Sequence, residues 1–246
     1  QAEDGIRDVE RSRGLGDVYK RQMMDQLITQ ALEEAYHFGF PLDAGAVLIV
    51  ELDGLPKGIE KQAKRVDEIC RRNNASEVRL ARDAAERAAL WKCRKRAFGA
   101  IGRLSPNYVT QDGVVPRSKL PEIMQFIRSV SDKYGLRIPN VFHAGDGNIH
   151  PLILYDERES DQVKRALQAG NDILGKCIDL GGSVTGEHGI GAEKIDFMSR
   201  QFAAEDLDAM KQLRRVFDPK KQCNPHKMFP GAKRCAEFAL KKQVPA

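Results

Sequence analysis

The sequence predicts an α+β fold with a mainly antiparallel sheet flanked by helices. Three observations predict it. Helix-like and strand-like stretches both occur along the 246 residues. The clearest strand pair is a hairpin, NVFHAGDGNIHPLILYD at 140–156, not a strand–helix–strand crossover. No G-x-G-x-x-G follows a strand and no G-x-x-x-x-G-K-[ST] is present, so the parallel nucleotide-binding sheet those motifs mark is not expected. With 41% hydrophobic and 30% charged residues, the chain suits one large domain or two small ones.

The elements follow in order. Residues 1–22 carry five acidic and five basic residues, and Gly5, Gly14 and Gly16 interrupt any helix, so this stretch reads as disordered or weakly structured. It also resembles translated sequencing-adapter read-through, which sets it apart from the fold and implies that the natural protein continues upstream. Met23 to His37 has helical spacing through Met24, Leu27, Ile28, Ala31 and Ala35, ended by Gly39 and Pro41. Residues 44–54 form a buried-strand pattern stopped by Asp53-Gly54. Residues 58–73 read as an amphipathic helix, 77–81 as a strand, 83–99 as a helix, 105–116 as extended chain and 121–134 as a helix. After the hairpin come a helix over 160–179 ending at Gly181-Gly182, a glycine-rich loop, and helices near 192–200 and 204–216. Residues 23–246 thus form the folded part.

The net charge is +5 and the basic residues are dispersed, with no aromatic stacking motif, so nucleic acid is not an expected partner. Cys70, Cys93, Cys177, Cys223 and Cys235 are odd in number and include no C-x-x-C. They read as reduced thiols, not a disulfide framework or a cysteine zinc site. No stretch reaches the roughly 18 apolar residues of a transmembrane span and no signal peptide is visible. The expected location is cytoplasmic, or peripheral to the inner membrane.

Two of the five histidines, His143 and His150, bracket the hairpin turn. If Asp146-Gly147 is a two-residue turn, His143 faces His150 across the strands. Their Cβ atoms are then about 5 Å apart on one face, within reach of one first-row metal ion. The plainer alternative is a hairpin with two polar residues on one face. GGSVTGEHGIGAEK at 181–194 is the second informative stretch. Its five glycines between 181 and 191 permit close backbone approach around Glu187 and His188. Glu187 could complete a His-His-Glu set with an open position, and His188 suits proton transfer near neutral pH. Zn, Mn and Fe all accept such N/O ligands.

HAGDGNIH (143–150) and GEHGIG (186–191), with FDPKKQCNPHKMFP (217–230), closely resemble the C-terminal half of flavin-linked 2-hydroxy-acid dehydrogenases. That family includes D-lactate dehydrogenases, D-2-hydroxyglutarate dehydrogenase and the flavoprotein subunit of bacterial glycolate oxidase. MMDQLITQALEEAYHFGFPLDA, LWKCRKRAFGAIGRLSPNY and RCAEFA look most like the last of these. The resemblance implies a ferredoxin-like cap domain and a C-terminal return segment, with an N-terminal FAD-binding domain missing from this chain. It implies oxidation of a small 2-hydroxy acid by hydride transfer to FAD, with a divalent metal. Reduced flavin would pass electrons to an iron–sulfur subunit or another electron-transfer carrier.

By the same resemblance, His143, His150 and Glu187 match metal ligands, and His188 matches the base beside the substrate. Arg94, in W-x-x-R, matches an arginine that grips the substrate carboxylate, a task suited to a guanidinium fork. Asn224, in C-N-P, falls in the segment that approaches the flavin. Arg94 could instead be a surface helix charge and Asn224 a turn residue; His37 and His226 read as structural or solvated. Phe98 and Leu152 stand near positions where relatives acting on dicarboxylates place polar groups, so glycolate or D-lactate is the expected substrate. Two other classes stay open on the residues alone: a stand-alone metal-binding α+β module and a metal-dependent hydrolase.

Overall fold

Burial with a period of two opens the fold. Gln22 and Met24 are buried while Arg21, Met23 and Asp25 are partly exposed, as on a pleated strand. The computed structural model describes residues 20–225 and 227–230. Its chain divides into two compact units, residues 1–100 and 101–246.

In the first unit, β1 (Lys20–Asp25) pairs antiparallel with β2 (Ala46–Glu51), Met24 opposite Val47. This corrects the expectation that residues 1–22 lie outside the fold, since Lys20, Arg21 and Gln22 are strand; residues 1–19 lie outside the described residues. It also moves the first helix. Asp25 accepts a hydrogen bond from the Ile28 amide (3.1 Å) and so caps α1 (Gln26–Tyr36), which therefore starts three residues after Met23. Ile28, Ala31 and Leu32 are its buried stripe, and His37 closes it in a left-handed conformation (φ 55°). β2 is less buried than its apolar sequence predicts: Ile49 is buried but Leu48 is 47% exposed. Helix α2 (Pro56–Arg72) begins at a proline, where the missing N–H costs nothing. Residues 77–81 are not a strand; they run without ladder partners into α3 (Ala84–Ile101). Cys93, Ala97, Ala100 and Ile101 form the buried face of α3 at spacings of three and four.

The second unit is built around β6 (Asn148–Tyr155), buried along nearly its whole length. On one side it pairs with β5 (Asn140–His143). On the other it pairs with β3 (Asn107–Thr110) and β4 (Gly113–Val114), all antiparallel. β3 and β4 share one register against β6, Thr110 opposite Leu152 and Gly113 opposite Ile149, so they are one strand interrupted at Gln111-Asp112. Continued through the interruption, that register sets Asp112 opposite His150.

Helices α4 (Leu120–Tyr134) and α5 (Ser160–Asp179) pack on each other, and α5 packs on β6. A Cβ on Gly113 would lie 2.8 Å from Cys177 Sγ, and one on Gly170 3.5 Å from Ile153 Cδ1. Gly113, its partner Ile149, and Ile153 therefore turn toward α5. His150 and Asp112, one residue out of phase, turn to the opposite face. Fully buried Phe142, Ile123, Ile127, Ile149, Ile153 and Ile173 fill the core, each contributing about 1.5–3 kcal/mol by burial. Helices α6 (Ile195–Gln201) and α7 (Ala204–Phe217) follow the glycine-rich loop. No helix among the described residues is long and apolar enough to cross a membrane. Among them, Cys70, Cys93, Cys177 and Cys223 are free thiols. The fold class is as expected from sequence, α+β with antiparallel strands and flanking helices.

A His-His-Glu cluster under a glycine-rich loop

The hairpin register differs from the expected one. His143 faces Asn148, and Val141 faces His150. The turn is a four-residue loop, Ala144–Gly147, with the Asp146 amide bonded to the His143 carbonyl (3.0 Å). Neighbouring chain explains the difference. The Gly147 carbonyl accepts the Val115 amide (3.0 Å) and Asn148 pairs with Val114, so these two residues are held against the adjacent strand. The pairing shifts by two residues, which preserves the face, whereas a shift of one would have reversed it. His143 and His150 are thus diagonal neighbours on one face, ring centroids 5.4 Å apart and nearly perpendicular at 82°.

The glycine-rich loop lies over that face and is tied down twice. Ser183 exchanges both backbone hydrogen bonds with Val114 (2.8 and 2.9 Å). A Cβ on Gly182 would sit 1.8 Å from the Val114 carbonyl oxygen, so only glycine permits this approach. Then Asp112 Oδ2 accepts hydrogen bonds from Thr185 Oγ1 (2.8 Å) and from the amides of Gly186 (3.0 Å), Glu187 (3.1 Å) and His188 (2.9 Å). The result brings Glu187 Oε1 to 3.5 Å from His143 Nε2 and Oε2 to 3.8 Å from His150 Nε2. The His188 ring stacks on His150 at 5.4 Å and 17°.

One donor atom from each of His143, His150 and Glu187 lies within 4.8 Å of the others. Ligands about 2.0–2.1 Å from a tetrahedral ion are about 3.3 Å apart, so a small inward movement would let the three share one ion. His150 is buried while Glu187 is half exposed, which leaves one side open. Burial, reinforced by the neighbouring His143, pushes His150 down to about 4. It is therefore neutral at pH 7, the state that can ligate a metal. The donor set and its protonation fit a divalent ion.

Asp112 lay outside the motifs, and Lys194, the last residue of the 181–194 stretch, carried no assigned role. Asp112 is fully buried. Burial alone would raise its carboxyl, but the amides of His188 and Glu187, the Thr185 hydroxyl and the Lys194 ammonium together hold it well below the usual carboxylate range. Lys194, 6% exposed, bonds the Asp112 carbonyl (2.9 Å) and stands 3.6 Å from its Oδ2; burial lowers Lys194 against that attraction. A buried acid in a strand interruption has no periodic signature, though Asp-Gly at 112–113 marks a break.

Arg94 and Asn224 are the other two residues expected at the site. Arg94 belongs to the first unit, where its Nε donates to Gln22 Oε1 (3.1 Å) and its guanidinium lies 5.8 Å from the Phe98 ring centroid. Asn224 is exposed at φ 43° in a turn organised by Asp218, which accepts the amides of Gln222 (2.7 Å) and Cys223 (3.1 Å). That conformation is what a turn asparagine adopts. His226 lies outside the described residues.

The chain is 46% identical over 217 residues to the glycolate oxidase subunit GlcD of Escherichia coli K12, covering 88% of this chain and 44% of that protein. It is 37% identical to the Bacillus subtilis subunit of the same name, covering 85% and 44%. A mitochondrial cytochrome D-lactate dehydrogenase of Arabidopsis thaliana is 28% identical, covering 87% and 38%. The chain spans less than half the length of these relatives. Among solved structures, p-cresol methylhydroxylase with substrate bound shares the fold at a TM-score of 0.58 and 14% identity, covering 85% of this chain and 46% of that one. The family described as FAD linked oxidases, C-terminal domain, matches residues 15–228, and this chain belongs to it.

Proposed function

We propose that the chain is the substrate- and metal-binding part of an FAD-dependent oxidoreductase that converts a small 2-hydroxy acid, glycolate or D-lactate, to the 2-oxo acid. The observation that carries the reading is the convergence of His143, His150 and Glu187 beneath His188, in a member of an FAD-linked oxidase family. Family membership also weighs against a stand-alone metal module and a hydrolase. The names of the relatives supply the substrate class. Because those relatives are more than twice as long as the matched part, most FAD contacts are assigned to a domain outside this chain.

His143 Nε2, His150 Nε2 and a Glu187 oxygen would hold a divalent ion, Zn, Mn or Fe. The ion would supply a Lewis acid that lowers the pKa of the substrate hydroxyl. FAD, when bound, supplies a two-electron acceptor for the hydride on the substrate Cα. His188 takes the hydroxyl proton as the carbonyl forms, so one hydride and one proton leave together. The loop tethers at Ser183 and Asp112 keep His188 against His150. Arg94 is assigned to the substrate carboxylate on its motif alone, and Asn224 to the flavin-facing segment on the same ground. An iron–sulfur subunit is the proposed next electron carrier.

The test uses the protein extended by its FAD-binding half, mixed anaerobically with glycolate or D-lactate while flavin absorbance is followed. Rapid bleaching is expected, slowed about 10²–10⁴-fold in His188→Asn, the usual worth of a general base. Full-rate bleaching in that variant would remove His188 from its role; no bleaching with any 2-hydroxy acid would remove the reading.

A further inference from the structure

The two oxygens of Asp112 face different partners. Oδ2 takes the four loop donors described above. Oδ1 receives only a longer contact from the Glu187 amide (3.3 Å) and lies 4.0 Å from His150 Nδ1. That nitrogen is buried and has no hydrogen-bond partner among the described residues. The other ring nitrogen, Nε2, lies 3.8 Å from Glu187 Oε2, but Glu187 is half exposed and screened by solvent, whereas Asp112 is fully buried and acts on the ring unscreened. A neutral imidazole carries one N–H, and the polar group beside a ring nitrogen decides which nitrogen bears it.

We propose that Asp112 is a positioning residue that selects the Nδ1–H tautomer of His150, leaving the Nε2 lone pair free toward His143 and Glu187. Its Oδ1 attracts the Nδ1 proton across the strand pair, while its Oδ2 holds the backbone that carries Glu187 and His188. One carboxylate thereby sets both halves of the cluster, the hairpin half and the loop half. The loop donors to Oδ2 favour the charged carboxylate in its buried position, and Lys194, 3.6 Å from Oδ2, adds to them. Carboxylates behind ligating histidines fix the tautomer and raise ligand basicity, and losing one typically costs 10–100-fold in metal affinity. The purpose assigned to the tautomer rests on the metal reading above; the tautomer itself exists without a metal.

The experiment uses the metal-free 246-residue chain, labelled with ¹⁵N, and reads the two ring nitrogens of His150 by long-range proton–nitrogen correlation. The wild-type chain should show Nδ1–H. In Asp112→Asn the amide oxygen can keep accepting from the loop while its NH₂ turns to Nδ1, so the proton should move to Nε2. Zinc affinity, measured against a competing chelator, should then fall about 10–100-fold. An Nε2–H wild-type ring overturns the proposal without any variant, and so does an unchanged tautomer or unchanged zinc affinity in a folded Asp112→Asn chain. If the tautomer behaves as expected but the wild-type chain binds no zinc, tautomer selection by Asp112 stands and the metal reading falls. If zinc binds tightly to a ring that is Nε2–H when metal-free, the metal reading stands and the proposal falls.

Discussion

Replacing Gly147 with alanine perturbs the seam that sets the hairpin register. Gly147 has φ 75°, a conformation that costs an L-residue about 1–2 kcal/mol. Its Cβ would lie 2.0 Å from the Val115 carbonyl oxygen and 3.3 Å from the carbonyl carbon, both backbone atoms with no rotamer to change. The hairpin tip must therefore move, adding about 1–3 kcal/mol of overpacking. The move also loses the Val115–Gly147 hydrogen bond (3.0 Å), worth about 0.5–1.5 kcal/mol. The expected cost is about 2.5–6.5 kcal/mol. Native-state hydrogen exchange of the β5 and β6 amides reads it as a lowered free energy of opening. Two companions separate the contributions. Gly191→Ala has φ 56° with open space around its Cβ, and should cost only the conformational part. Gly182→Ala, 1.8 Å from the Val114 oxygen without a positive φ, should cost mainly the steric part. If Gly147→Ala cost no more than Gly191→Ala, the docking of the hairpin tip on Val115 would not set the register.

Two further predictions concern the buried titratable groups. His150 drops from 6.5 to about 4 on folding, so the unfolded chain binds more protons than the folded one between those values. Its contribution to stability is complete above pH 6.5 and is lost as pH falls through 4, to a total of about 3.5 kcal/mol at roughly 1.4 kcal/mol per pH unit. Stability measured from pH 8 to 4 should be flatter across that window in His150→Gln; an equal slope in both would contradict a neutral buried ring. Lys194→Met leaves Asp112 buried without its counter-charge and should destabilise the second unit by about 3 kcal/mol, visible as a lower thermal midpoint. A loss under about 1 kcal/mol would mean that the four donors to Oδ2 balance the carboxylate unaided.

Much of the fold was legible because its helices obey simple rules. Pro121 and Gly135 bracket α4, whose apolar Ile123, Ile127 and Val130 lie on its buried face, and Pro56 opens α2. β1 was hidden because Met23 and Met24 extend the apolar spacing of α1, while the polar Gln22 that shares the strand's buried face looks unsuited to burial. Residues 77–81 carry strand-like composition but find no ladder, since pairing is a long-range property that composition does not encode. At the site, glycine spacing correctly marked the loop around Glu187 and His188. The histidine pairing was right in face and wrong in register, because the contact that decides it comes from Val115, far from the turn in sequence. Asp112 was invisible for a related reason: its importance lies in four donors contributed by residues more than seventy positions away.

X-ray absorption on the zinc-loaded chain addresses the metal centre most directly. One ion per chain is expected, with two imidazole nitrogens and a carboxylate oxygen at about 2.0–2.1 Å, and loss of that signature in His143→Ala and Glu187→Gln. Sulfur scattering near 2.3 Å, or a spectrum unchanged in both variants, would contradict it and place the ion elsewhere.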